Sequence, residues 1–173
     1  MRLSMRLMAL SSFLFLFLSA CGYHFTGEGE GPRPGINAVA IPVFENNTSE
    51  PDLGSMFAGA LRNDFIQKGE IRVVPTDQAD VIFRGIIKNI YTSEVAHREF
   101  EKTILTRLYV TLDIRCDDVR NGKVLWQDPQ YTYYQVYIQD PDPIIAFSNR
   151  RRALEFLARE MSIRIHDRFL SNF

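Results

Sequence analysis

The groups in this chain that could do chemistry are few. Two cysteines, Cys21 and Cys116, form no CxxC pair, so neither a disulfide framework nor a thiol-based zinc or redox centre is expected. The three histidines, His24, His97 and His166, have no ligand spacing to another His or Cys. Neither a nucleophile elbow nor a phosphate-binding P-loop occurs. Gly27-Glu28-Gly29-Glu30-Gly31 is glycine-rich, but its glutamates would repel phosphate. Asp117-Asp118 reads as part of a turn rather than as an acid/base pair. Arg150-Arg151-Arg152 reads as solvated charge near a helix start, the alternative being a patch for phosphate or acidic loops, whose oxygens suit arginine forks. These residues predict a protein that is not an enzyme and has no cofactor.

Cys21 stands apart because of what precedes it. Arg2 and Arg6 open the chain without an acidic residue, and Leu7 to Ala20 is apolar apart from small serines. At about 1.5 Å per residue that run spans roughly 21 Å, short of a ~30 Å hydrocarbon core. It therefore reads as a secretory signal rather than a permanent span. Leu18-Ser19-Ala20-Cys21 resembles the lipobox of bacterial lipoproteins. The small residues let an extended chain enter a peptidase, and the thiol supplies the nucleophile for a thioether to lipid. The resemblance implies cleavage before Cys21 and acylation there, which makes the lipid at Cys21 the one covalent addition expected. A single acyl chain holds a protein only reversibly, whereas several anchor it firmly. Gly22, where enterobacterial inner-membrane lipoproteins carry Asp, points to the outer membrane. With Cys21 acylated, Cys116 is left as a small buried residue on the apolar face of a strand.

The chain has 173 residues, 46% hydrophobic and 24% charged, with a net charge of -1. This is ordinary globular composition. Loss of Arg2 and Arg6 with the leader leaves 18 basic against 21 acidic residues, so nothing favours binding to nucleic acid.

The remaining sequence reads as a lipidated tether over 21–37, rich in Gly, Pro and Glu, followed by one domain over 38–173. Ala38 to Phe44 is a short apolar strand in which Pro42 demands an edge or an outward-facing amide. A polar loop follows. Leu53, Met56, Phe57, Ala60, Leu61 and Phe65 then recur as one helical stripe, capped near Asp52 or Ser49 and stopped at Gly69. Ile71 to Val74 is a short extended piece. Three long strands are predicted over 80–92, 104–116 and 123–138, either bulged or projecting past their helices. Asn121-Gly122 turns the second into the third, and the charged segment 93–103 reads as a hairpin tip. A last helix over 144–170 should bury Phe147, Leu154, Leu157, Met161, Ile165 and Phe169. The order β-α-β-β-β-α is an α+β arrangement with an antiparallel meander covered by helices.

Three segments together resemble the lipopolysaccharide-assembly lipoprotein family LptE. They are Cys21-Gly22-Tyr23-His24-Phe25, then Ala40-Ile41-Pro42-Val43-Phe44-Glu45-Asn46-Asn47-Thr48, then Asp80-Val81-Ile82-Phe83-Arg84-Gly85-Ile86-Ile87. The resemblance implies two helices packed on a mixed, mostly antiparallel four-stranded sheet. It also implies an outer-membrane lipoprotein facing the periplasm. Such a protein would plug the LptD barrel, support its assembly and help deliver lipopolysaccharide to the outer leaflet. Lipopolysaccharide would call for Lys or Arg beside apolar surface, and Lys88, Arg98, Lys102 and Arg107 are the residues expected to meet it. The alternatives are a periplasm-facing lipoprotein that scaffolds another envelope complex and a lipoprotein that binds a small ligand.

Overall fold

A computed structural model describes residues 35–98 and 103–171. The elements run β1 (Ala38–Ala40), β2 (Glu45–Asn46), α1 (Leu53–Lys68), β3 (Arg72–Val73), β4 (Val81–Arg98), β5 (Thr103–Asp118), β6 (Val124–Gln139) and α2 (Pro143–Ser171). The strands make one mixed sheet in the order β3-β1-β4-β5-β6, with β2 pairing to β4 beyond the end of β1. β1 is parallel to β3 and β4, and β2 is parallel to β4. β4, β5 and β6 form the antiparallel meander. The class is the expected α+β: among the described residues two helices cover a mixed sheet, which has six strands rather than four. The extra strands, β2 and β3, are two residues each; β3 lies within the extended piece expected over 71–74, while β2 is too short for alternation to reveal.

Both helices lie on one face. From α1, Leu53, Phe57, Leu61 and Phe65 are fully buried, and from α2, Leu154, Leu157, Met161, Ile165 and Phe169. They close over Phe83, Ile87, Leu108, Val110, Leu112, Ile114 and Cys116 of the sheet. The centre is aromatic: Phe169 meets Phe83 edge-on with centroids 5.1 Å apart, and Phe65 lies 5.5 Å from Phe83, within the range where ring quadrupoles attract. Ile36, ahead of β1, is buried and joins this core.

Caps fix the helix ends. Asp52 is the N-cap of α1, but in a left-handed conformation (φ 62°) and without a side-chain hydrogen bond. Gly69 closes the helix at φ 71°, its N–H donating to Phe65 O, as a C′ glycine should. Asp142 caps α2 through Oδ1, which accepts from the N–H groups of Ile144 and Ile145, with Pro143 in the favoured first position.

Three expectations need correction. The strand does not stop near residue 92: β4 continues to Arg98 and β5 resumes at Thr103, because the bulges beside Lys88 and Val95 each leave a residue unpaired without ending the ladder. Phe147 has the stripe's spacing, one heptad before Leu154, yet is 67% exposed. No described element covers that side of the first turns of α2. Nor is Arg150 solvated charge. Its Nε and Nη2 donate to Glu50 Oε2 at 3.1 and 2.8 Å, joining α2 to the polar loop after β2.

Candidate functional site

The sheet face opposite the helices carries the candidate site. Along β5, even-numbered residues from Thr106 to Asp118 are buried and odd-numbered ones look the other way, as a pleat requires. Register then decides which of these outward side chains meet.

Tyr91, Tyr109 and Tyr134 stand directly opposite one another on β4, β5 and β6. The rings of Tyr91 and Tyr109 stack at 4.6 Å with 5° between their planes, and Tyr134 follows at 5.5 Å. The Arg107 guanidinium sits over the Tyr134 ring at 5.1 Å, a cation–π distance. Its Nε is buried with no hydrogen-bond partner among the described residues. Next to this rung Thr111 and Thr132 share a hydrogen bond of 2.9 Å. Nearer the foot of the sheet, Arg84 and Arg115 are opposite each other in the ladder. That repulsion is offset by Asp117 Oδ2, 3.2 Å from Arg84 Nε and 3.3 Å from Arg115 Nε. The face is thus aromatic toward the far end and ion-paired toward the foot.

The residues named from sequence distribute unevenly over it. Lys88, at a bulge, lies 4.0 Å from Asp113 Oδ2. Arg107 pairs in register with Ser93, five residues farther along β4, or about 17 Å. Lys88 and Arg107 therefore do not form one cluster. Arg98 ends β4 opposite Thr103, closer to Arg107 than to Lys88 along the ladder. Lys102 and Cys21 lie outside the described residues.

Other tyrosines of β6 face the helices. Arg164 covers Tyr133 at 4.6 Å and donates to its hydroxyl at 2.9 Å, and Arg168 covers Tyr131 at 4.7 Å while bonding Asp128. These pairs seal the seam between α2 and the sheet. Asp118 belongs to the β5–β6 turn, where the Arg120 N–H donates to its Oδ1 and holds the carboxyl below its usual range. The turn uses Gly122 at φ 69°.

Among the described residues no group of three His, Cys, Asp or Glu could hold a metal ion. None of the described helices is long and apolar enough to cross a membrane. Burial pushes the Cys116 thiol well above its ordinary pKa, with Asp117 and Asp118 adding to the effect. It is a core residue.

The family model for lipopolysaccharide assembly, LptE, matches residues 36–169. The chain belongs to the LptE family. Members are non-enzymatic envelope lipoproteins of lipopolysaccharide assembly, with no known cofactor.

Solved structures share the fold at low identity. A candidate lipoprotein from Caulobacter crescentus aligns with a TM-score of 0.51 at 14% identity, over 73% of this chain and 87% of its own. A protein from Xanthomonas campestris gives 0.51 at 13%, over 77% and 85%. A candidate neuraminyllactose-binding hemagglutinin homolog from Helicobacter pylori gives 0.50 at 13%, over 83% and 87%. No curated protein sequence matches the chain.

Two of the LptE-like segments meet in the fold. Glu45 and Asn46 pair with Ile86 and Ile87. Asn46 Oδ1 then accepts from the N–H and hydroxyl of Thr48, while its Nδ2 donates to Glu50 O. This side-chain-built turn ends β2 and aims Glu50 at Arg150.

Proposed function

We propose that this LptE-family chain is a lipid-anchored outer-membrane protein facing the periplasm, seated inside the LptD barrel as its plug. There it supports barrel assembly and helps pass lipopolysaccharide to the outer leaflet. Its domains would be a leader over 1–20, a tether over 21–37 anchored through Cys21, and the α+β unit over 38–173. The observation that carries this reading is the division of the sheet. One face is sealed by two helices, while the other presents tyrosine rings, threonine hydroxyls and ion pairs. Such a surface suits a polar, wet barrel lumen. Lys88, Arg98, Lys102 and Arg107 are proposed to meet the phosphates of lipopolysaccharide.

Pull-down of the protein from solubilised envelopes tests the reading. A large β-barrel should copurify in stoichiometric amount, and depletion should leave lipopolysaccharide short of the cell surface. Copurification of a different envelope complex, or of no protein, would overturn it. Charge reversal at Lys102 and Arg107 should weaken lipopolysaccharide binding; unchanged binding would remove those residues from the site.

A further inference from the structure

The two edges of the sheet are not alike. β3, on one edge, is two residues long, and shortness is a common protection against unwanted pairing. β6, on the other, is 16 residues long. Pro129 interrupts its first half, but Tyr131 to Gln139 contains no charge, proline or glycine. That is the composition of a strand ready to pair.

The backbone of this stretch still has groups to offer. Ile138 O accepts from Asn149 Nδ2 at 2.9 Å and Val136 O accepts from Gln135 Nε2 at 3.1 Å. Both carbonyls therefore face away from β5. In an antiparallel strand a residue's N–H and C=O point to the same side. The N–H groups of Val136 and Ile138 consequently face outward too, with nothing on that edge to receive them among the described strands.

Outward from β6 lies a groove of about 520 Å3, bounded on its far side by α2. It is lined by Val136, Ile138 and Phe156 and by the basic pair Arg152 and Arg159; the pleat turns the Val136 and Ile138 side chains to the same sheet face as Tyr134, away from α2. Glu155, the one carboxylate lining it among the described residues, already pairs with Arg151. Arg159 is exposed above the Phe156 ring, 5.9 Å from its centroid, and has no carboxylate partner among the described residues.

We propose that this groove receives an extended segment of a partner protein, with acidic residues alternating with apolar ones, which adds to β6 as a further strand. Backbone pairing to the outward N–H groups of Val136 and Ile138, whose carbonyls already accept from Gln135 and Asn149, would supply affinity. Val136 and Ile138 on one sheet face would select the apolar side chains, and the Arg152–Arg159 wall on the helix side the acidic ones between them. Outward N–H groups repeating at every second residue match the carbonyl spacing of a strand, which an anionic glycolipid does not offer. The net positive wall favours an acidic segment over a second copy of β6, which is uncharged over the same stretch.

The test uses the full chain purified in detergent and a fluorescein-labelled nonapeptide, Thr-Val-Glu-Val-Asp-Val-Glu-Val-Thr, followed by anisotropy. Saturable binding is expected. It should weaken at least tenfold when lysines replace the three acidic residues, and at least tenfold when alternate peptide amides are N-methylated. Arg159→Glu should cost a similar factor. Val136→Pro should abolish binding, since this amide lies outside the β5 ladder and proline is tolerated at such edge positions. The N-methylated peptide carries the same test if that variant does not fold. The proposal is overturned by absent binding, by equal binding of the acidic, basic and N-methylated peptides, or by displacement with lipopolysaccharide micelles that is indifferent to N-methylation. It is also overturned by a concentration-dependent dimer that Val136→Pro dissolves, which would make the occupant a second copy.

Discussion

The Phe44 ring lies against the backbone of Gly85, so close that a β-carbon there would sit 2.7 Å from the ring. This contact joins two of the segments by which the family resemblance is recognised. The ring is buried, and Phe44 N donates to Gly54 O at 3.3 Å. Gly54 is equally constrained, since a β-carbon on it would fall 2.0 Å from Phe44 O. Phe44 is thus held between a strand glycine and a helix glycine.

Gly85→Ala should therefore destabilise the fold. Alanine would gain roughly 0.5–1 kcal/mol from reduced chain entropy, but overpacking against a fixed ring costs about 1–3 kcal/mol. The net loss is readable in urea denaturation. A midpoint equal to or above that of the parent would show that Phe44 can move aside.

Glu50 and Arg150 should be coupled. The pair is about three-quarters buried on both sides, and two guanidinium nitrogens share one carboxylate oxygen. A double-mutant cycle with Glu50→Gln and Arg150→Met should give a coupling energy of about 1 kcal/mol. Additive effects would mean that the contact does not hold the loop to α2.

His166 makes stability depend on pH. It is buried between the helices, its ring edge-on to Phe65 at 4.3 Å. Lys68 Nζ is 3.0 Å from its Nδ1. An ammonium can only donate, so Nδ1 accepts and the proton sits on Nε2. Burial first, and then the Lys68 charge, hold the imidazolium pKa below its ordinary value, against the opposing pull of Asp64, Glu70 and Asp167. The folded state thus takes up its proton at lower pH than the unfolded chain does. Stability is full above the ordinary histidine pKa and falls as pH drops through and below it. Thermal unfolding should show a lower Tm at pH 5.5 than at pH 7.5, with His166→Gln flattening that decline. An equally steep decline in the variant would place the effect elsewhere.

Cys116 should resist thiol reagents in the native state, because the nucleophile is the thiolate and burial opposes its formation. Labelling should appear only when the chain unfolds. Rapid labelling under native conditions would mean that the β4–β5–β6 core opens locally.

Much of this was legible from the residues and some was not. The stripe from Leu53 to Phe65, the Gly69 stop and the Asn121-Gly122 turn follow from local rules, and the fold contains all three. Glu45-Asn46 read as loop because two polar residues carry no alternation, and they form β2 only because β4 is beside them. The charges between residues 93 and 98 pointed to a loop, but ladder pairing to β5 outweighs them. The tyrosine rung was hidden for a different reason. Bulges at Lys88 and between Leu112 and Ile114 shift the register, so no count of residues would have aligned Tyr91, Tyr109 and Tyr134. Arg107 was picked out for its charge, while its ring partner depended on that register.

The Asp80 carboxylate receives the N–H groups of Asn37 and Ala38 at 2.9 and 3.0 Å, which fixes where the polypeptide enters the fold. From there β4 runs 18 residues to Arg98, about 55 Å at 3.3 Å per residue. Entry and far end are opposite poles of the sheet. Changes at the far end can therefore alter what the sheet meets there while leaving the Asp80 latch untouched.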